Sequence, residues 1–156
     1  MSDNIIIEKA CAFTGHRDIL KYPNAQEFEN LLCGIIGLGV DTFLCGMARG
    51  FDLFAAEAVL RLMDGGKDLK LIACVPCPEQ DKFFDKTDKQ RYTDILSRAD
   101  EVKLISDEYF KGCMQMRDRF MVDNSAYLVA YLREQTGGTA YTVNYAQKKN
   151  KKIYRV

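Results

Sequence analysis

Short apolar runs alternate along the chain with longer segments in which apolar residues recur at helical spacing. The runs predict strands at 10–14, 41–45, 69–75, 101–105, 126–132 and 152–156. Buried strands that alternate with amphipathic helices are typical of a parallel sheet with helices on both faces. The pattern therefore predicts an α/β fold with a doubly wound, mainly parallel sheet, formed as one domain over residues 1–156.

The helices are predicted from apolar stripes and from the residues that stop them. Apolar residues between 28 and 38 form one stripe, and the clearest period runs from Phe51 to Met63, where Asp64-Gly65-Gly66 ends the helix. The polar segment 79–98 is expected to be helical in two pieces. Further helices are expected at 114–124 and 138–149.

Composition narrows the classes of function. The 156 residues are 47% hydrophobic, enough for one core, and 22 basic residues balance 22 acidic ones. A chain with no net charge has no overall positive potential to attract nucleic acid or an anionic membrane, so nucleic acid is not an expected partner. Any anion-binding site has to arise from a local cluster of residues. No apolar run approaches the ~20 residues of a membrane span, and no secretory leader is evident, so a cytoplasmic protein is expected.

Six cysteines are expected to be reduced thiols, because nothing indicates secretion. Cys74-Val75-Pro76-Cys77 has the C-x-x-C spacing of zinc and thiol-exchange sites. Zinc would need two further ligands, however, and His16 is the only histidine. A structural role for Cys74 and Cys77 is favoured over a thiol or metal module, and no metal site is predicted.

Four loops that follow predicted strands contain glycine, threonine, histidine or arginine. Ligands of open parallel sheets bind beyond the carboxyl ends of the strands, where helix N-termini offer unpaired N–H groups. Each loop alone has an ordinary explanation as a turn, but their shared edge predicts one pocket for an anion. The candidate ligand-binding residues are Thr14, Gly15, His16, Arg17, Gly46, Ala48, Arg49, Gly50, Asp52, Arg117, Gly137, Gly138 and Thr139.

These residues have distinct expected roles. The backbone amides of 46–50 and 137–139 would hold phosphates, and Arg17, Arg49 or Arg117 would neutralise them. Asp52 would cap a helix or accept a ribose hydroxyl, and Tyr109 or Phe110 would stack on a base. Two alternatives stay open: the glycines at 46 and 50 serve only close packing, and the arginine at 117 lies on a solvated helix face.

The motifs in these loops resemble a known family. TGHR, CGMARGFDLFAAE, MQMR with MVDNS, and GGTAYTVNYA resemble the YpsA-like family of the SLOG superfamily, from about Ala12 to Ala146. The resemblance implies a Rossmann-like fold and a nucleotide or nucleotide-derived ligand, such as ADP-ribose or an NAD-like molecule, with no other cofactor required. It also implies a bacterial source among Firmicutes and a link to cell division or stress.

Relatives in the same superfamily include DprA-like domains and the lonely-guy phosphoribohydrolases. The latter pair the arginine of M-x-x-R-K with the glutamate of P-G-G-x-G-T-x-x-E. Here Met114 and Arg117 match, but Asp118 replaces the lysine and Asn144 occupies the glutamate position. A carboxamide does not exchange a proton as a carboxylate does, so that chemistry is in doubt.

The resemblance therefore favours a non-catalytic sensor or regulator that acts on a protein partner. The alternative is a hydrolase of the N-glycosidic bond of nucleotides, which would use Arg117 with Glu57 or Asp52. Self-association as a homo-oligomer is left open.

Overall fold

The computed structural model describes residues 4–156, which contain one six-stranded sheet. Its strands are β1 (Ala10–Gly15), β2 (Thr42–Cys45), β3 (Lys70–Val75), β4 (Glu101–Leu104), β5 (Tyr127–Tyr131) and β6 (Lys152–Arg155). Neighbouring strands pair in the order β4-β3-β2-β1-β5-β6, and each pair is parallel. The predicted Rossmann-like α/β fold is confirmed.

Five α-helices connect the strands: α1 (Ala25–Ile36), α2 (Phe51–Asp64), α3 (Lys86–Arg98), α4 (Cys113–Asp123) and α5 (Gly138–Lys148). The segment 79–98 forms two pieces, as predicted, a 3-10 turn at Gln80–Phe83 and then α3. Asp85 separates them, since its carboxylate accepts a hydrogen bond of 2.7 Å from the N–H of Asp88 and starts α3. No helix within residues 4–156 is long and apolar enough to cross a membrane.

Helices cover both faces of the sheet because side chains alternate along each strand. Cys11 and Phe13 of β1 belong to a core that includes residues of α1, α2 and α3. Ala10 and Ala12 belong to a second core, with residues of α4 and α5. The small side chains on that face leave room for α5, which packs against β1, while α4 packs against β3.

The strand order reverses at β1. From β1 the chain builds the sheet outward through β2, β3 and β4, and it then returns to place β5 on the other side of β1. Gly15 at the end of β1 is in register with Tyr131 at the end of β5. The connections leave these two neighbouring strands in opposite directions, which opens a crevice at their carboxyl ends.

Candidate functional site

A crevice of about 260 Å³ lies at this reversal point, close to the smallest volumes usual for ligand pockets. Its walls come from the end of β1 and the starts of α2, α4 and α5. Nine of the thirteen candidate residues line it: Thr14, Gly15, His16, Arg17, Ala48, Asp52, Arg117, Gly138 and Thr139. The other four, Gly46, Arg49, Gly50 and Gly137, lie outside its lining.

The loop after β1 is held rigidly. Nε2 of His16 accepts a hydrogen bond of 2.7 Å from the N–H of Arg133, and the imidazole meets the Tyr131 ring edge-on with centroids 5.9 Å apart. The His16 carbonyl accepts a 3.1 Å hydrogen bond from the N–H of Phe51, the first residue of α2. His16 therefore joins β5 to α2 across the end of β1, and its ring forms part of the crevice wall.

Packing explains the two glycines of the second loop. Gly50 has φ of 83°, and a Cβ there would lie 2.3 Å from the Arg17 carbonyl oxygen and 2.6 Å from that of His16. A Cβ on Gly46 would lie 2.8 Å from Nη1 of Arg117. The structure thus supports the packing alternative for both glycines, whereas their predicted contribution to a phosphate cradle has no counterpart in the crevice lining.

Arg49 does not line the crevice, where it was predicted to neutralise a ligand. Its guanidinium forms an ion pair with the exposed carboxylate of Asp18 and donates to the Arg17 carbonyl oxygen at 3.4 Å. The hydrogen bond and charge of Arg49 lower the pKa of Asp18. The pair therefore ties the first loop to the second on the surface outside the crevice.

Arg117 is buried, which corrects the alternative that it lies on a solvated helix face. It is 5% exposed and donates to the Gly46 carbonyl oxygen, to Oδ1 of Asp118 at 2.7 Å and to Oε1 of Gln80 at 3.4 Å. Burial alone would lower the pKa of Arg117, but the carboxylates of Asp118 and Asp52 outweigh burial and raise it. Arg117 thus stays charged and ties the β2 loop to α4.

Asp118 extends this network to α5. Oγ1 of Thr142 lies 3.0 Å from Oδ2 of Asp118 and 2.9 Å from the Gly138 carbonyl oxygen, so these two acceptors share its one hydroxyl hydrogen. On the sequence alone, Asp118 is the residue that replaces the lysine of the lonely-guy motif, with no predicted role in the site. The signal that could have identified it is an acidic residue next to an arginine in the first turns of a helix that follows a strand.

Asp52 is the buried carboxylate of the crevice. Oδ2 accepts a hydrogen bond of 3.2 Å from the N–H of Ala48, while Oδ1 is buried without a hydrogen-bond partner among the described residues. Burial raises the pKa of Asp52 to about 7, although the positive charge of Arg117 opposes the shift. Near neutral pH this carboxyl group can donate its proton, and its ionised form can accept a hydrogen bond from a ligand hydroxyl.

The N-terminus of α5 forms the opposite wall. Gly137 precedes it with φ of 100° and ψ of −175°, a conformation open essentially to glycine alone, and no side chain of residues 4–156 caps the helix. A Cβ on Gly138 would meet nothing within 4 Å, so space lies in front of the first turn. The first N–H groups of a helix lack partners within it and attract anions.

The residues considered for hydrolysis do not all meet in the crevice. The carboxylate of Glu57 accepts two hydrogen bonds from Arg91 of α3, at 2.8 and 3.0 Å, and lies outside the crevice lining. Asn144, at the position aligned with the glutamate of the lonely-guy motif, is exposed on α5. Of the predicted carboxylates, Asp52 alone lines the crevice together with Arg117.

The two cysteines of the C-x-x-C motif are both buried. Burial raises the pKa of Cys74 to about 12 and is also the main cause of the raised pKa of Cys77, to which a hydrogen-bonded neighbour, Cys113, adds. Raised pKa values keep thiols protonated and slow as nucleophiles. Within residues 4–156, no three histidine, cysteine, aspartate or glutamate side chains cluster as metal ligands would.

Comparison with known proteins shows which family this chain belongs to. A model of the YpsA family, described as the YspA SLOG family, matches residues 14–156. The chain belongs to this family. Its relatives include a UPF0398 protein of Halalkalibacterium halodurans, 31% identical over 86% of this chain and 71% of the relative. The UPF0398 protein YpsA of Bacillus subtilis is 26% identical, over 90% of this chain and 86% of its own.

Solved structures of low identity share the fold of this YpsA-family chain. DNA processing protein A from Streptococcus pneumoniae aligns with a TM-score of 0.66 at 18% identity, covering 96% of this chain and 50% of that one. DNA processing protein A from Helicobacter pylori aligns with a TM-score of 0.67 at 20% identity, covering 96% of this chain and 65% of that one. This chain thus spans half to two thirds of those proteins.

The Helicobacter pylori protein binds single-stranded DNA. That property conflicts in part with the expectation, drawn from the balanced charge of this chain, that nucleic acid is not one of its partners. An identity of 20% establishes the shared fold and leaves the partner of this YpsA-family protein to be tested directly.

Proposed function

We propose that this YpsA-family protein binds a nucleotide or nucleotide-derived ligand, such as ADP-ribose, in the crevice. The observation that carries the proposal is the meeting of two complementary groups in one cavity. Asp52 lines the crevice and has a buried carboxylate oxygen with no hydrogen-bond partner among the described residues, and the N-terminus of α5, which no described side chain caps, faces the same space. A phosphorylated sugar has both a hydroxyl for the carboxylate and an anion for the helix.

The charges around the crevice support this orientation. Gly138 and Thr139 at the start of α5 line the crevice together with Arg17, which extends from the loop after β1. A phosphate between them would gain a guanidinium contact and backbone N–H donors. Asp52 lies on the α2 side, where it would accept a ribose hydroxyl.

The regulatory part of the proposal is supported by the state of the residues that hydrolysis would need. Asn144 replaces the glutamate of the hydrolytic relatives, and Glu57 is held by Arg91. Arg117 is engaged by Gly46 and Asp118. A ligand would instead bridge the starts of α2, α4 and α5, so that occupancy changes the surface offered to a protein partner. Following the family resemblance, we assign that partner to cell division or stress in the cytoplasm.

Thermal unfolding and calorimetric titration with ADP-ribose, NAD and adenosine 5′-monophosphate test binding. A ligand at 100 times its Kd should stabilise the fold by about 2.7 kcal/mol. Arg17→Gln should weaken binding roughly fivefold by removing an exposed charge near the phosphate. Lys70→Gln is the matched control, since it removes an exposed charge at the opposite edge of the sheet. Unchanged melting at millimolar concentrations of all three ligands would refute the proposal.

Hydrolysis of the N-glycosidic bond is the second candidate function. The raised pKa of Asp52 favours it, because a carboxyl that titrates near 7 can give a proton to a departing base. Nucleoside 5′-monophosphates incubated with the protein would then release free base, and Asp52→Asn would abolish release while the chain still folds. Absence of free base in the presence of measurable binding would favour the regulatory function.

Single-stranded DNA is tested in the same series. The equal numbers of acidic and basic residues predict weak association with a fluorescent oligonucleotide, since phosphate contacts dominate such binding. Micromolar binding that weakens steeply with added salt would instead show that this chain shares the DNA-binding property of its Helicobacter pylori structural relative.

A further inference from the structure

A second cavity, of about 360 Å³, lies beside the crevice. Met114, the second residue of α4, lines both cavities. The second cavity differs in character from the first, because Cys77, Pro78, Phe83 and Tyr109 contribute mainly apolar surface to its walls. A ligand in the crevice could therefore continue past Met114 into apolar surroundings.

Two aromatic side chains at this cavity are largely exposed. Phe83 is 90% exposed and Tyr109 is 69% exposed. Exposed aromatic rings next to a cavity are available surfaces for another flat group, and most aromatic side chains gain free energy when covered. Lys82 places its ammonium 5.5 Å from the centroid of the Phe83 ring and adds positive charge at the rim.

The position of Phe83 is imposed by a short, well-anchored turn. Glu79 enters the Gln80–Phe83 turn with φ of 60°, and the turn is closed by hydrogen bonds of 3.0 Å from Lys82 to Glu79 and from Phe84 to Asp81. The next ring, that of Phe84, packs edge-on against Tyr92 of α3 with centroids 5.6 Å apart. The chain thus partly buries Phe84 against the core and leaves its neighbour Phe83 in solvent.

Gln80 connects the same turn to the crevice network. Its Nε2 donates to the Gly46 carbonyl oxygen at 3.3 Å, and its Oε1 accepts from Nη1 of Arg117 at 3.4 Å. The turn that presents Phe83 is therefore fixed relative to the residues behind the crevice. Such a link keeps the two cavities at a constant separation, as recognition of one ligand with two parts requires.

We propose that the second cavity is a nucleobase subsite. This inference rests on the proposed function: the crevice holds the phosphate and ribose, and the base stacks on Phe83 and Tyr109 beyond Met114. The ligand class is thereby a nucleotide with its base attached, and sugar phosphates alone would bind less tightly. Stacking of a base on an aromatic side chain tolerates any base, so discrimination between bases would be small.

Titration calorimetry with ribose 5-phosphate and adenosine 5′-monophosphate separates the two subsites. Adenosine 5′-monophosphate should bind the wild-type chain roughly tenfold or more tightly than ribose 5-phosphate. The double variant Phe83→Ala/Tyr109→Ala should abolish most of this difference without changing the affinity for ribose 5-phosphate. Both rings are exposed, so the variant should fold. Phe110→Ala is the matched control, as an exposed ring outside the lining of the second cavity.

The outcomes distinguish the two proposals. Equal affinity of the wild type for both ligands, or an equal loss of both in the double variant, would overturn the base subsite and leave the crevice proposal intact. Failure of both ligands to bind would overturn the crevice proposal and the subsite with it. Ring-dependent binding of an oligonucleotide that excess adenosine 5′-monophosphate does not displace would reassign the rings to single-stranded DNA and overturn the subsite.

Discussion

At the scale of single residues, Asp52 has the most unusual surroundings in the crevice. It is 5% exposed, yet one carboxylate oxygen has no hydrogen-bond partner among the described residues. An unsatisfied buried acceptor destabilises the folded chain, and the cost grows when the carboxyl is ionised. The Asp52 carboxylate therefore lowers the stability of the folded chain at the position where the hydroxyl of the proposed ligand would bind.

The pKa of Asp52 predicts a pH-dependent stability. The folded chain binds this proton up to about pH 7, whereas the unfolded chain releases it near the ordinary value of 3.8. The stability that the folded chain gains by holding Asp52 protonated is therefore complete below about pH 4. It is lost as the pH rises through 7. Urea unfolding at pH 4.5 and pH 8 should show that the wild type loses on the order of 2–4 kcal/mol more than Asp52→Asn over this range.

Asp18→Asn is the control for this titration. Asp18 is exposed and Arg49 lowers its pKa, so its removal should leave the change between pH 4.5 and pH 8 as in the wild type. Parallel stability curves for the wild type and Asp52→Asn would show that Asp52 does not titrate near 7 in the folded chain.

A side chain at position 50 should clash with a neighbouring carbonyl oxygen, and the cost of this clash can be measured apart from the cost of backbone strain. Gly50→Ala would combine a positive φ of 83° with a Cβ 2.3 Å from a carbonyl oxygen, while Gly39→Ala would combine φ of 109° with a Cβ that has no atom of the described residues within 4 Å. Gly39→Ala should lower the free energy of unfolding by about 1–2 kcal/mol, and Gly50→Ala by at least about 2 kcal/mol more. Equal losses of unfolding free energy for the two variants in chemical denaturation would show that the loop after β1 moves away from the new Cβ at position 50 at little cost.

At the scale of elements, α4 and α5 are joined by a buried hydrogen bond. The Asp118 carboxylate of α4 accepts from the Thr142 hydroxyl of α5, and Arg117 holds the same carboxylate against the β2 loop. Two crevice walls are thereby kept at a set distance. Their separation depends on polar contacts between elements, in addition to apolar packing around Met121 and Val143.

Thr142→Val tests this joint between helices. The change keeps the shape of the side chain but leaves Oδ2 of Asp118 without its donor, so the free energy of unfolding should fall by about 1–3 kcal/mol. Thr93→Val, on the exposed face of α3, should change it by less than about 0.5 kcal/mol. A similar small effect of both substitutions in urea denaturation would contradict a role for this bond in joining α4 to α5.

The elements themselves were well predicted from local sequence patterns. Each of the six predicted strands lies within one or two residues of its position in the structure, because a buried strand is a short apolar run between polar turns. The start of α1 at Ala25 was missed, since its first turn is polar and is marked only by the Asn24 side chain, which accepts from the N–H of Glu27. Periodicity reports the buried stripe of a helix better than its ends.

At the scale of the whole molecule, topology brings distant loops together. Arg17, Asp52, Arg117 and Gly138 come from widely separated parts of the sequence and line one crevice. A parallel sheet places the carboxyl ends of its strands at one edge, and the reversal at β1 leaves room between the loops that follow β1 and β5. The convergence could therefore be predicted from the order of strands and loops before any contact was known.

The sequence by itself determined the α/β class, the strands and the edge at which the unusual residues gather, because these follow from local periodicity and the geometry of parallel sheets. Only the tertiary structure decided the partners: Arg49 with Asp18, Glu57 with Arg91, and Arg117 with Gly46 and Asp118. A charged side chain finds its partner through packing between segments far apart in the chain, and burial, which sets the pKa of Asp52, is likewise a property of the assembled fold.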